Sequence, residues 1–224
     1  MRLLMSILLV SFVFLQDSWG QRGPIFKSKT DDLTVNDKCE EYKPSFFLKS
    51  EIKYFLVGIK GTRRAGFHEE VNITRDNARL LWHALNPHTK DSKRSAVMNK
   101  VNNSDSLSKQ YEILLEGREE RGAEYYSEGE ILEILSYEAL PESESFNEVL
   151  ENHFGRNNYS KEDFFITGGV TYHTKSGQTV GELDVVVGDS KTCTVFAIGE
   201  AKLGGKKSKA VRQLDRIKQF LRSL

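Results

Sequence analysis

Thr179–Lys202 reads TVGELDVVVGDSKTCTVFAIGEAK. Two β-rich runs, Thr179–Val187 and Thr194–Lys202, flank a turn at Gly188-Asp189-Ser190. Val185-Val186-Val187 and Val195-Phe196-Ala197-Ile198 are unbroken rather than alternating, which predicts strands covered on both faces. Side chains two apart on a strand share a face, so Glu182 projects with Asp184 and Glu200 with Lys202. If the strands pair, four charges converge at strand ends, in surroundings where an uncompensated charge is expensive.

Outward from this hairpin, Asp163–His173 (DFFITGGVTYH) predicts a third strand, with a turn at Ser176-Gly177. Ser143 or Ser145 can cap a helix through Phe146, Val149, Leu150 and Phe154 that ends at Gly155. Beyond the hairpin, Ala210, Leu214, Ile217, Leu221 and Leu224 fall on one helical face starting near Ser208. Helix, strand, strand, strand, helix over residues 143–224 predicts an α/β core, with α+β as the alternative.

Farther upstream, Lys53–Lys60 predicts a strand. A helix capped by Thr74 or Asp76 runs through Ala78, Leu81, Trp82 and Leu85 to Asn86-Pro87. Residues 86–109 are polar and read as a loop, and Tyr111–Leu140 reads as two Glu-rich helices parted near Gly122. The change of composition at Pro141 sets residues 21–142 apart as an accessory region of unassigned role, mostly helical toward its end.

Charge is balanced overall and segregated locally. The 224 residues are 38% apolar, with 32 Lys and Arg against 32 Asp and Glu, so whole-chain attraction to a polyanion is excluded. Residues 201–224 nevertheless carry +7, from Lys202, Lys206, Lys207, Lys209, Arg212, Arg216, Lys218 and Arg222 against Asp215. Residues 112–151 carry thirteen Glu against Arg118 and Arg121, a net of −11. The two blocks can neutralise each other or face different partners.

Met1-Arg2 followed by a largely apolar run of thirteen residues, Leu3–Leu15, and then Ser18-Trp19-Gly20 reads as a signal peptide over residues 1–20. The apolar run reaches only about 20 Å as a helix, too short to span a bilayer. The expected mature chain starts at Gln21, is secreted or periplasmic, and has no membrane association after cleavage. Export places Cys39 and Cys193 where they can form one bridge or remain two buried thiols. The five histidines are isolated from one another and from cysteine in sequence, which disfavours zinc, although His153 and His173 flank the core. Neither a Gly-x-Ser-x-Gly elbow nor a phosphate-binding Gly-Lys-Ser/Thr loop is present, which disfavours serine hydrolases and nucleoside triphosphatases.

The run Gly181-Glu182-Leu183-Asp184-Val185-Val186-Val187, a turn, then Val195-Phe196-Ala197-Ile198-Gly199-Glu200-Ala201-Lys202 resembles the PD-(D/E)xK, or restriction-endonuclease-like, nuclease superfamily. In that superfamily a helix, three strands and a second helix carry an Asp on one strand and Glu-x-Lys on the next. The resemblance covers roughly residues 143–224. It departs from the superfamily's name in having Leu183 rather than proline before Asp184. It implies Asp184 and Glu200 as Mg²⁺ ligands, with Mn²⁺ able to substitute, and Lys202 as the catalytic lysine. It also implies an acid on the preceding helix, with Glu148 first and Glu151 second. Gln213 resembles a glutamine used near the site in some branches, and Glu182 would support the cluster.

Elementary chemistry asks for the same residue types. Phosphodiester hydrolysis needs hard cations held by carboxylates to offset charge at phosphorus, and a lysine nearby to hold anionic oxygens. Lys206, Lys207, Lys209 and Arg212 can contact flanking phosphates. The expected function is therefore an exported, metal-dependent nuclease acting on nucleic acid, DNA by the resemblance, without a small-molecule cofactor. The alternative is a non-catalytic nucleic-acid-binding or protein-interaction module on the same fold.

Overall fold

The computed structural model describes residues 25–28, 39, 43–44, 53–121, 127–174 and 176–222. The signal peptide expected over residues 1–20 lies outside them. The described chain is mixed α/β. Its strands are β1 (Ile25–Ser28), β2 (Lys43–Pro44), β3 (Lys53–Ile59), β4 (Glu69–Val71), β5 (Phe164–Thr167), β6 (Val170–His173), β7 (Thr179–Leu183), β8 (Val185–Asp189) and β9 (Thr194–Lys202). Its helices are α1 (Arg75–Leu85), α2 (Asp91–Asn102), α3 (Asp105–Arg121), α4 (Glu128–Ala139), α5 (Glu144–Phe154) and α6 (Lys207–Arg222).

The larger sheet runs β4-β3-β9-β8-β5, with β2 also on β9, and the smaller runs β1-β6-β7. β3 pairs parallel to β9, whereas β8 pairs antiparallel to both β9 and β5. One face of the larger sheet buries Phe55, Val57, Val185, Val187 and Ala197 against residues of α1 to α5. The other buries Leu56, Val186, Val195 and Ile198 with Ala210, Leu214 and Ile217 of α6 and with Val170, Tyr172 and Leu183 of the smaller sheet. Coverage on both faces is why these strands have no polar alternation.

The expected caps are present. Thr74 accepts from Asn77 N at 3.2 Å to open α1, and Ser143 accepts from Phe146 N at 3.0 Å to open α5, which closes at Gly155.

Three expectations are corrected. Residues 86–109 are not a loop, because they contain α2 and the start of α3. Only Val97, Val101 and Leu107 of that stretch join the core, too few to reveal a helical period in so polar a sequence. Asp163–His173 and Thr179–Val187 are not single strands, because each breaks in passing from one sheet to the other, at Gly168-Gly169 and at Asp184. Residues 53–142 do not stand apart, since β3 and β4 share the larger sheet with β8 and β9. One apolar cluster also holds residues from both sides of position 142.

Cys39 and Cys193 are bonded, with Cα atoms 5.5 Å apart and a separation of 154 in sequence. The bridge anchors the N-terminal segment at the start of β9, where Lys43 and Pro44 pair with Thr194 and Val195. Closing so long a loop restricts the unfolded chain, so Cys39→Ser with Cys193→Ser is expected to lose about 3–5 kcal/mol. Urea unfolding of the oxidised and double-variant proteins measures the loss.

Candidate active site

Asp184 sits at the bend between the two sheets. Leu183 and Val185, which an unbroken strand would put on one face, enter different apolar clusters. The bend is held from three sides. Tyr137 Oη on α4 donates to Asp184 O at 3.2 Å, and Gln213 Nε2 on α6 donates to Glu182 O at 2.9 Å. Gly168 faces them, and a Cβ there would lie 1.7 Å from Tyr137 Oη and 2.1 Å from Asp184 O. No residue larger than glycine fits unless the bend opens.

Pairing of Val185 with Gly199 brings Asp184 beside Glu200. Asp184 Oδ2 accepts from Ala201 N at 3.0 Å and from Lys202 Nζ at 2.6 Å. Lys202 Nζ also donates to Glu200 Oε2 at 2.5 Å and to Ala201 O at 3.0 Å. Glu200 is fully buried, and its second oxygen, Oε1, is buried without a hydrogen-bond partner among the described residues. Asp184, Glu200 and Lys202 are therefore in direct contact.

Sequence reasoning missed a fourth member. Glu133, on α4 one turn before Tyr137, is held to a pKa of about 8, first by burial and then by repulsion from Asp184. Lys202 acts in the opposite direction on it, and Glu182 and Glu130 add repulsion. Burial and contact with Asp184 push Glu200 up to about 9, against the pull of Lys202. Burial works against the Lys202 ammonium too, but Asp184 and Glu200 outweigh it and hold its pKa above the ordinary value. The common cause is a charge deficit. Three carboxylates face one ammonium, so the fully ionised group carries −2 in a poorly solvated place. Two protons or one divalent cation would balance it.

The other expected residues are placed differently. Glu182 does not share a strand face with Asp184, because the bend intervenes; its carboxylate bears on Glu133 and its carbonyl anchors Gln213. Gln213 thus holds backbone next to the site. The acid supplied by a helix is not on α5: Glu148 is exposed there, and Glu151 faces Arg156 at 3.5 Å. The helix bearing the acid is α4, earlier in the chain, which packs on β9 and β8. His153 stacks on Phe196 with Nε2 3.5 Å from Asp189 Oδ2, and His173 lies 3.2 Å from the hydroxyls of Thr171 and Thr179. Lys206, Lys207, Lys209 and Arg212 are exposed, and Arg212 Nε donates to Ser208 O at 3.1 Å. Among the described residues none of these four forms an ion pair with the acidic block of 112–151.

The donor set suits a hard divalent cation. Among the described residues no three His, Cys, Asp or Glu side chains form a preformed metal cage. Mg²⁺ does not require one, since it is commonly held by one or two carboxylates and completes its shell with water and phosphate oxygens. Asp184 and Glu200 supply those carboxylates, the orphaned Glu200 Oε1 supplies an oxygen with unused lone pairs, and the deficit of two charges matches the ion. Compared with known proteins, the chain matches no family model, no curated protein and no solved structure, so the reading of this site rests on its own chemistry.

Proposed function

We propose that the protein is an exported, Mg²⁺-dependent nuclease hydrolysing phosphodiester bonds, in DNA by the resemblance to the PD-(D/E)xK superfamily. The observation that carries this reading is the contact of Asp184, Glu200 and Lys202 around a buried carboxylate oxygen with no partner among the described residues. The order α5, strands β5 to β9, α6 agrees with the superfamily's helix, strands and helix, and supports a restriction-endonuclease-like core. The Cys39–Cys193 bridge agrees with export into an oxidising compartment.

Asp184 and Glu200 would hold the cation, which when bound supplies charge stabilisation at phosphorus and lowers the pKa of water. Lys202, released from its two carboxylates, offers a compact ammonium for an anionic phosphate oxygen or the attacking hydroxide. Glu133 is protonated near neutral pH without metal; once its neighbours are neutralised it would release that proton to solvent, and the resulting carboxylate could then accept one. Gln213, Tyr137 and Gly168 position the Asp184 backbone. One observation favours the non-catalytic reading: the ammonium already lies between the carboxylates, as in a structural ion-pair cluster.

The test is incubation of the purified mature protein with plasmid, linear duplex DNA, single-stranded DNA and RNA. Cleavage is expected with Mg²⁺ or Mn²⁺ and none in excess chelator. Full activity in chelator would overturn the mechanism, and no cleavage of any substrate would leave the binding-module reading.

A further inference from the structure

We propose that Lys60, Arg63 and Arg64 form, together with Lys206, Lys207 and Lys209, one phosphate-binding track for a polynucleotide beside Lys202; as a substrate track this rests on the nuclease reading. The two groups are about 140 positions apart in sequence and meet because β3 and β9 are parallel. Gly58 is in register with Lys202, so both chains leave the sheet at the same end, where the Asp184 cluster lies. From β3 the chain enters the 3₁₀ turn Thr62–Ala65, and from β9 it passes Gly204-Gly205 into α6. The loops touch: a Cβ on Gly66 would lie 2.3 Å from Lys207 Nζ, and one on Gly205 would lie 3.6 Å from Ala65 Cβ.

Positive charge outweighs negative on this surface. Residues 60–66 contain three cations and no acid, and residues 202–209 contain four cations and no acid. All six track residues are exposed, and none forms an ion pair among the described residues. Glu70, the one carboxylate hydrogen-bonded to the 3₁₀ turn among the described residues, is held by backbone, accepting from Gly61 N at 3.2 Å and Arg63 N at 2.5 Å. Thr62 Oγ1 donates to Ile59 O at 2.6 Å and pins the turn from inside. The turn is thus built by Glu70 and Thr62, and the Arg63 and Arg64 guanidiniums make no hydrogen bond or ion pair among the described residues. Arginine forks and lysine ammoniums on two touching loops suit the phosphates of a nucleic-acid backbone.

The test measures binding of the intact mature protein to a labelled DNA duplex of about two helical turns, roughly 20 base pairs, with Ca²⁺ in place of Mg²⁺, across a salt series. Arg63→Ala with Arg64→Ala is expected to lower the slope of log affinity against log salt by about 1.8, at about 0.9 for each phosphate no longer neutralised. Lys206→Ala with Lys209→Ala should lower it similarly. Lys100→Ala with Lys109→Ala removes the same charge from exposed positions on α2 and α3 and should leave the slope near wild type. If the arginine pair keeps the wild-type slope, or if the control pair lowers it as much, the track is overturned, whatever the cleavage assay shows. If the slopes behave as expected and wild type still does not cleave with Mg²⁺, the nuclease reading fails and the track stands as a nucleic-acid-binding surface.

Discussion

Lys202→Ala is expected to lower Mg²⁺-dependent cleavage by about 10³-fold, the scale seen when one preorganised donor is removed from a charged transition state. Its Nζ is the only cation bonded to Asp184 and Glu200 among the described residues. Lys202→Arg should not rescue the rate, because a planar guanidinium does not replace a compact ammonium between two carboxylates. Loss of a buried partner can also unfold a protein, so Lys202→Met, which keeps the aliphatic stem, is measured alongside at pH 6, where Glu200 is protonated and needs no cation. Both variants should then melt within a few degrees of wild type. Isothermal titration should show Lys202→Met binding Mg²⁺ at least as tightly as wild type, since a competing positive charge is gone. Cleavage at the wild-type rate would remove Lys202 from the chemistry. Unfolding of both variants at pH 6 would make the cluster a structural ion-pair network.

Asp184, Glu200 and Lys202 were legible because each stands at the end of an unbroken apolar run, where a charge has few innocent explanations. The bend at Asp184 was not, because a strand that changes sheets has the same composition as one that continues. Its cause, the closeness of Gly168 to Tyr137 and Asp184, is a tertiary contact. Choosing Glu148 assumed that the nearest helix in sequence is the nearest in space. α5 instead turns Phe146, Val149 and Leu150 inward and leaves Glu148 in solvent. Glu133 was hidden among thirteen glutamates, although its neighbours Ile131, Leu132, Ile134 and Leu135 were a usable signal of burial. The basic surface was half legible for a similar reason. Lys206, Lys207 and Lys209 follow the motif directly, whereas Lys60, Arg63 and Arg64 arrive through a parallel pairing that no local pattern announces.

Affinity for Mg²⁺ is expected to rise steeply with pH. Without metal, Glu200 titrates near 9 and Glu133 near 8, so at pH 6 both hold protons that a cation must displace. Below about pH 7 the logarithm of the association constant should therefore climb by up to about two units per pH unit, flattening above about pH 9. Stability in chelator carries the opposite sign. Each acid has its pKa raised on folding from 4.5, so the folded chain holds protons that the unfolded chain has released. The contribution of these two acids to stability is fully present below about pH 4.5, falls as pH rises above it, and is gone once pH passes 8 and 9. Mg²⁺ should consequently raise the melting temperature more at pH 9 than at pH 6. Glu200→Gln fixes a neutral side chain at the buried position, so it should flatten the chelator profile, exceed wild type in stability at pH 9, and lose Mg²⁺ binding. Glu133→Gln should keep binding but reduce proton release by about one, read from titration heats in buffers of different ionisation enthalpy. An affinity independent of pH, or a Glu200→Gln protein that binds Mg²⁺ like wild type, would show that the charge deficit is met by protons alone and that the cluster is not a metal site.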